Sequence, residues 1–540
     1  MQSLVFGGCL IFAVSVWAEP ESTSQLEFSK KISEVVQHSV ETFDVPGIAV
    51  GVLLADQTVL ERGYGTRDIN SGLKVDAQTI FKIASNTKAF TAAALAILVD
   101  QGKLRWSDKI VDHLDEFALA DDWISQHFTV LDMLTHRSGL GPGAGDLMLW
   151  PEPNDFTPSD IVKNLRHLKP VMPFRSDYAY DNLMYIVAGQ LVEKLSGVSW
   201  QKFVQVQLLD KMQLERCFSD VVSKLAWNNL AAPHAYLEDE LRVVERSKIN
   251  TGVTVMAAAG GMKCSLSDML VWVRTLLNDG ITPKGDLLFS KQQLQMMWQP
   301  HMLMPLGESQ RQAYNTHFNA YGLGWRMEDI YGYLLVSHTG SLQGYRSYVA
   351  MVPELDLGVV ILSNGSSSSA RKAILFTILD QIIGKRLLES QMPGNRDWVK
   401  ILEAKGAAVE TGLQDKTIDT AFRRWKQAVS LGLFPKIDNQ QDYEGSYADI
   451  WFGEVTISLQ DGQLKFQAVK SPKLVGVLVH KLEDTYMVFW DDRSLEADAY
   501  IYFQRDDNGM ISGMKMNAIS PATDFSFDFQ DLHFTRNSAQ

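Results

Sequence analysis

Cysteine is scarce, with three in 540 residues. A disulfide framework is excluded, and with it the small scaffolds that depend on one. No Cys-x-x-Cys and no His-Glu-x-x-His accompanies the 11 histidines, so no metal and no cofactor is expected. Basic residues are the minority, 50 Lys and Arg against 64 Asp and Glu, a formal net charge of −14. That balance argues against a nucleic-acid partner and against a basic membrane surface. Long apolar runs are missing beyond the first residues, so no membrane span is expected after them. No Gly-x-Ser-x-Gly elbow occurs, which argues against an α/β-hydrolase.

What is present begins with an uncharged run from Leu4 to Trp17, too short to span a bilayer comfortably. Val16-Trp17-Ala18 before Glu19-Pro20 has the form of a signal-peptidase site, although the usual basic start is missing. Residues 1–18 are therefore expected to be a signal peptide, and the protein to be exported, to the periplasm or the extracellular space. Cys217 and Cys264 remain after cleavage; spacing alone does not decide whether their sulfurs meet. The length exceeds one hydrophobic core, and two or three domains are expected.

The periodicity predicts an α+β plan. A helix is expected over 25–44, strands over 47–55 and 58–65, and helices over 86–101, 131–136, 182–195 and from Ser265 to Leu277. Strands are expected over 321–328, 332–338, 344–352 and 357–363, then a helix over 368–383. An antiparallel sheet built from both ends of residues 25–385 follows. Residues 386–436 read as a charged helical connector. From 437 to 540 apolar and polar residues alternate: Val455, Ile457 and Leu459, then the Asp461-Gly462 turn, then Leu464, Phe466 and Ala468. Phe525, Phe527 and Phe529 continue the alternation, so a small all-β barrel or sandwich is expected.

The stretch Ile83 to Phe90 carries the chemistry. Ser85 and Lys88 have Ser-x-x-Lys spacing, which also occurs at Ser71, Ser199, Ser369 and Ser512. Ser85 is preferred for its context: it opens a long apolar helix, where free backbone N–H groups favour developing negative charge. Lys88 falls on the same face one turn on. A nucleophile beside an amine is what acyl transfer needs. The bland alternative is an N-cap serine and a solvated lysine. Tyr180-Asp181-Asn182, the one Tyr-x-Asn here, precedes a helix, and His338-Thr339-Gly340-Ser341 ends an expected strand.

In this order and spacing the three motifs resemble those of the penicillin-recognising serine hydrolases, and within them the class C β-lactamase-like branch. Leu134 to Leu140, Ala259 to Met262, Tyr321 to Trp325 and the run from His338 to Asn364 resemble it too. The resemblance implies a β-lactamase/transpeptidase-like catalytic domain over about 25–385. It implies Ser85 as the acyl-accepting nucleophile, with Lys88 and Tyr180 as candidate bases and the proton assigned to neither. Asn182 would orient Lys88 and the substrate carbonyl. The N–H groups of Ser85 and Ser341 would hold the oxyanion. His338, Thr339, Gly340 and Asn364 would meet substrate. Two departures stand out. His338 replaces the lysine of class C enzymes, and Asp181 places a carboxylate where it could oppose a tyrosinate. The tail resembles the lipocalin-like accessory domain of some hydrolases in this branch, either an appendage or a cap on the site.

The function expected is a serine hydrolase forming an acyl-enzyme on Ser85. Its substrates would be small esters, D-amino-acid peptides or amides, or cell-wall-derived fragments. Neutral His338 ranks that above a β-lactamase or penicillin-binding DD-peptidase. A non-catalytic peptidoglycan-binding pseudoenzyme is disfavoured by the presence of Ser85, Lys88, Tyr180 and Asn182 together. Self-association through the β domain is the protein partnership considered.

Overall fold

Gly47–Leu54 and Gln57–Gly65 pair antiparallel across a turn whose residues Ala55 and Asp56 both have positive φ. Such turns match the twist of a hairpin. The structure, a computed structural model, describes residues 23–219, 221–237, 240–244, 254–387, 396–413, 424, 427 and 439–537. The expected signal peptide and most of the connector lie outside the described residues.

The hairpin's first strand also pairs with Leu357–Ser363, joining the two ends of the domain. The eight-stranded sheet continues through Tyr345–Val352, Tyr333–Leu342, Arg326–Ile330, Asn319–Tyr321 and Met302–Leu303. Its central strands are buried on both faces, which explains apolar runs without alternation. Ile48, Val50, Val52, Val359 and Ile361 face the helices Thr23–Thr42 and Ser368–Ile383. Ala49, Leu53, Val360 and Leu362 face the helices Leu266–Leu277 and Thr87–Asp100. The latter is buried from Thr87 to Leu98. A helix apolar all round belongs inside a core.

Two strand expectations need correction. The stretch 321–328 is broken, because Gly322 N–H bonds Trp325 O and Gly324 turns at φ +76°. The strand expected to stop at His338 runs on to Leu342, so the His338–Ser341 motif lies inside it. Cys217 and Cys264 face each other on paired strands and are bridged.

The connector is more than a spacer where it is described. Trp398, at the start of the helix Trp398–Leu413, stacks on Tyr314 and packs on Phe376. Its indole N–H donates to Asp380, which also pairs with Arg396.

The C-terminal unit is a closed barrel of eight antiparallel strands, from Gly445–Asp449 to His533–Arg536. Gln460 pairs with Gln463 around Asp461-Gly462, both at positive φ, as the sequence predicts. The alternating phenylalanines are not a strand. Asp524 accepts the Ser526 N–H, Phe527 N–H bonds Asp524 O, and a single turn at Phe529–Asp531 follows. Their alternation records a loop with Phe527 and Phe529 buried and Phe525 half exposed.

Gly340 is a point of close backbone approach. A Cβ there would lie 2.3 Å from Ile83 O, in the turn that carries Ser85. Gly340→Ala is expected to destabilise the protein by about 1–3 kcal/mol, read as a fall in urea or thermal midpoint. Gly384→Ala, with no atom within 4 Å of its Cβ, should leave the midpoint in place.

Candidate active site

Ser85 sits in a single helical turn, Ala84–Asn86, that leads into the helix Thr87–Asp100. Ala84 takes φ +50°, a left-handed conformation costly for a residue with a Cβ. Tight packing holds it: Asn86 Nδ2 donates to Ser347 Oγ (2.8 Å), and Ser347 Oγ donates to Ile83 O (2.7 Å). No side chain caps the helix here. The bland N-cap role for Ser85 therefore does not apply, and its Oγ faces Lys88 instead.

Lys88 is fully buried. Its Nζ lies 3.3 Å from Ser85 Oγ, 2.7 Å from Asn182 Oδ1 and 3.0 Å from Ala259 O. Burial brings its pKa down from the ordinary lysine range to about 7. The carboxyls of Asp146 and Asp181 oppose that fall, and the Arg326 guanidinium assists it. The Ala259 carbonyl belongs to the irregular turn Ala257–Gly261, which also accepts from Thr91 through Ala258 O (2.7 Å). That is the use of the Ala259–Met262 stretch in the sequence.

Tyr180 is the other candidate base. The Lys88 ammonium lies 4.8 Å from its ring centroid. Burial raises the phenol's pKa, against its hydrogen bond with Ser85 and the pull of Arg326. The Leu134–Leu140 stretch cradles it. The His136 ring lies 4.4 Å from the Tyr180 ring, and His136 Nδ1 accepts the Asp181 N–H (3.0 Å). Asp181 does not oppose a tyrosinate from the cavity. Its Oδ1 accepts from Leu183 N (2.9 Å) and Met184 N (3.4 Å), capping the next helix. Burial still raises that carboxyl to about 7.

Asn182 links Lys88 to a group the sequence did not single out. Its Nδ2 donates to Asp146 Oδ2 (2.7 Å). Burial pushes the Asp146 carboxyl up to about 8, against hydrogen bonds from Asn182 and Ser526. Arg326 was also missed. It is half-buried, lies 5.9 Å from the Tyr180 ring centroid and donates to Thr339 Oγ1 (2.8 Å). An arginine in a strand gives no motif, and only the fold reveals its neighbours.

A cavity of about 920 Å³, open mouth included, is lined by Ser85, Asn182 and Ser341. Asp146 and Arg346 also line it, as does Ser526 from the barrel. The barrel therefore walls the site, as the capping alternative requires. Four expected substrate contacts lie off the cavity wall. His338 does not line the cavity. It is buried, its Nδ1–H donates to Thr339 O (2.7 Å), and Tyr321 OH donates to its Nε2 (2.9 Å). Burial keeps it neutral, with Arg326 and Lys88 pushing the same way. Asn364 is buried elsewhere, donating to Thr66 O (3.2 Å) and Arg67 O (3.0 Å). It braces a loop. Thr339 Oγ1 accepts from Arg326, and Gly340 packs against Ile83 O.

Reaction of Ser85 with a fluorophosphonate should accelerate as pH rises through about 7, where Lys88 loses its proton. Arg326→Met removes a positive neighbour and favours the ammonium, so the rising limb should move to higher pH. Lys88→Ala should remove that limb. The labelling rate against pH, by intact mass, checks all three.

Comparison with known proteins places this geometry. The family model described as Beta-lactamase matches residues 32–381, and a domain of unknown function (DUF3471) matches 438–536. Unguisins hydrolase ungD′ of Aspergillus campestris is 26% identical over 380 residues, 65% of this chain and 64% of that protein. Protein flp of Staphylococcus aureus is 24% identical over 364 residues, 64% of each. The chain thus spans somewhat under two thirds of the length of these relatives. The octameric penicillin-binding protein homologue from Pyrococcus abyssi shares the fold, with a TM-score of 0.57 and 20% identity. That match covers 94% of this chain and 99% of that one. With the family model covering most of its length, and a serine, lysine, tyrosine and asparagine brought together in one cleft, the chain belongs to the β-lactamase family.

Proposed function

We propose that this protein is an exported serine hydrolase of the class C-like branch, working through an acyl-enzyme on Ser85. The observation that carries the proposal is a water-excluded lysine, with its pKa near 7, within 3.3 Å of the serine hydroxyl. Neutral Lys88 takes the Ser85 proton as Oγ bonds to the substrate carbonyl carbon. The raised pKa of Tyr180 keeps it a phenol beside Ser85, suited to giving its own proton to the leaving amine or alcohol as the bond to carbon breaks, with Lys88 returning the Ser85 proton to the phenolate. Water then cleaves the acyl ester by the reverse proton path. The N–H groups of Ser85 and Ser341, both on the cavity wall, are the proposed oxyanion donors.

Small esters, D-amino-acid peptides or amides, and cell-wall-derived fragments remain the proposed substrates. Neutral, walled-off His338 supplies no cation for a β-lactam carboxylate. One feature favours the alternative of a β-lactamase or DD-peptidase: Arg346 lines the cavity and could supply that charge from the next strand. Export is supported by the bridge between Cys217 and Cys264, since disulfides persist in oxidising compartments. Self-association through the barrel belongs to the same proposal. Ile450 and Leu482 stand exposed there, and light scattering would read the mass.

Exposure of the full-length protein to a fluorophosphonate, a penicillin and an acetyl ester, followed by intact mass, tests the function. A fluorophosphonate adduct that vanishes in Ser85→Ala is expected, with ester turned over faster than penicillin. No adduct in the wild type would sink the hydrolase proposal. Rapid penicillin turnover would instead favour the β-lactamase alternative.

A further inference from the structure

The barrel reaches the catalytic centre with side chains as well as walls. Ser526 Oγ donates to Asp146 Oδ2 (2.8 Å), the same oxygen that accepts Asn182 Nδ2 (2.7 Å). Asn182 Oδ1 in turn accepts from Lys88 Nζ (2.7 Å). A single chain of hydrogen bonds therefore runs from a barrel loop to the amine beside Ser85. The other oxygen of Asp146 is buried and has no hydrogen-bond partner among the described residues, although its residue lines the cavity.

The loop that carries Asp146 is clamped by the same barrel segment. The buried carboxylate of Asp528 accepts from Gly145 N (2.6 Å) and Leu147 N (3.0 Å). Gly143 lies flat against Phe525; a Cβ on it would sit 2.6 Å from the Phe525 carbonyl oxygen. Gly143 N–H also bonds Tyr180 O (2.9 Å), and the Phe525 ring meets the Tyr180 ring edge-on at 6.1 Å. Three contacts, a hydroxyl, a carboxylate and a ring, thus converge on the loop and on the Tyr180–Asn182 motif. An accessory domain that merely stabilised the protein would have no need to place polar atoms inside the catalytic cluster.

We propose that the barrel segment Asp524–Asp528 is a working part of the active site, in which Ser526 is a positioning residue for Asn182 and Lys88 through Asp146. The inference rests on the serine hydrolase function proposed above. The charged and titratable groups around the network are few. Lys88, Asp181, Tyr180 and Asp528 face Asp146, and Arg326, Asp181, His136 and His338 add to the field at Lys88.

The sign of the expected effect follows. Without the Ser526 hydroxyl, the Asp146 carboxylate loses a donor that favours its charged form. Less negative charge then faces Lys88, its ammonium is less favoured, and the rising limb of Ser85 labelling moves to lower pH. Arg326→Met moves it the other way. Looser orientation of Asn182 also lowers the plateau rate, by about tenfold.

The test is the fluorophosphonate labelling rate of full-length protein across pH, for wild type, Ser526→Ala, Ser526→Thr and Asp528→Asn. Thermal midpoints are measured alongside. Ser526→Ala should drop the plateau about tenfold and shift the limb to lower pH, with its midpoint kept. Ser526→Thr, which retains a hydroxyl, should restore both. A plateau loss with an unmoved limb would mean a structural role only and would overturn the proposal. So would a Ser526→Ala profile identical to wild type. A wild type that does not label at all overturns the hydrolase function and this inference with it, whereas a labelled wild type with an indifferent Ser526→Ala overturns the inference alone.

Discussion

An ammonium sealed from water is costly unless acceptors surround it, and Lys88 is the charge this molecule is built to seal. The helix Thr87–Asp100 is buried from Thr87 to Leu98, so its lysine is covered on every side. Three acceptors reach it from three separate parts of the chain: Ser85 one turn back, Asn182 at the head of another helix, and Ala259 in an irregular turn. The two carboxyls nearby are buried as well, and burial raises both. Burial therefore loosens the proton on the lysine and tightens those on the acids, while each group pulls on the other's charge. An amine that deprotonates easily next to a hydroxyl is the consequence.

The sheet serves this arrangement by fixing one wall. Gly340 lets the strand Tyr333–Leu342 press against the turn carrying Ser85, so that Ser341 and Ser85 line one cavity. Arg371, from the helix Ser368–Ile383, braces this strand and the next from behind, donating to Gly340 O and Ser341 Oγ (3.2 Å) on the one and to Ser347 O (2.7 Å) on the other. Burial lowers even this guanidinium, to about 9. Cation after cation is held dry around one strand end, which is expensive unless each has backbone carbonyls or hydroxyls to bond, as Arg371 does.

How much of this the sequence disclosed depended on how local the signal was. Ser85, Lys88, Tyr180 and Asn182 were legible because each pair is held within one turn of helix or loop, where spacing fixes geometry. The sheet plan was legible because apolar runs bounded by turns are a local pattern. Asp146 and Arg326 were not, since each owes its place to segments far away in sequence. His338 and Asn364 were misjudged for the same reason: the motif gave their position, and only packing decided which way their side chains turned. The phenylalanines at 525, 527 and 529 imitated a strand because a loop that buries two of them and lays the third against its neighbour gives the same alternation.

The sheet that joins Gly47–Leu54 to Leu357–Ser363 sets an order of events during synthesis. The first strand leaves the ribosome roughly 300 residues before its central partner, and at about 5–20 residues per second that is a wait on the order of 15 to 60 s. Through that interval an apolar strand has one of its two edges open, the situation that invites wrong pairings. The contacts made by Ser526 and Asp528 come later still, near the end of the chain. The cleft is thus assembled in its final form only once residues 524–528 have emerged, so a chain that stops before them holds the serine and the lysine without these neighbours.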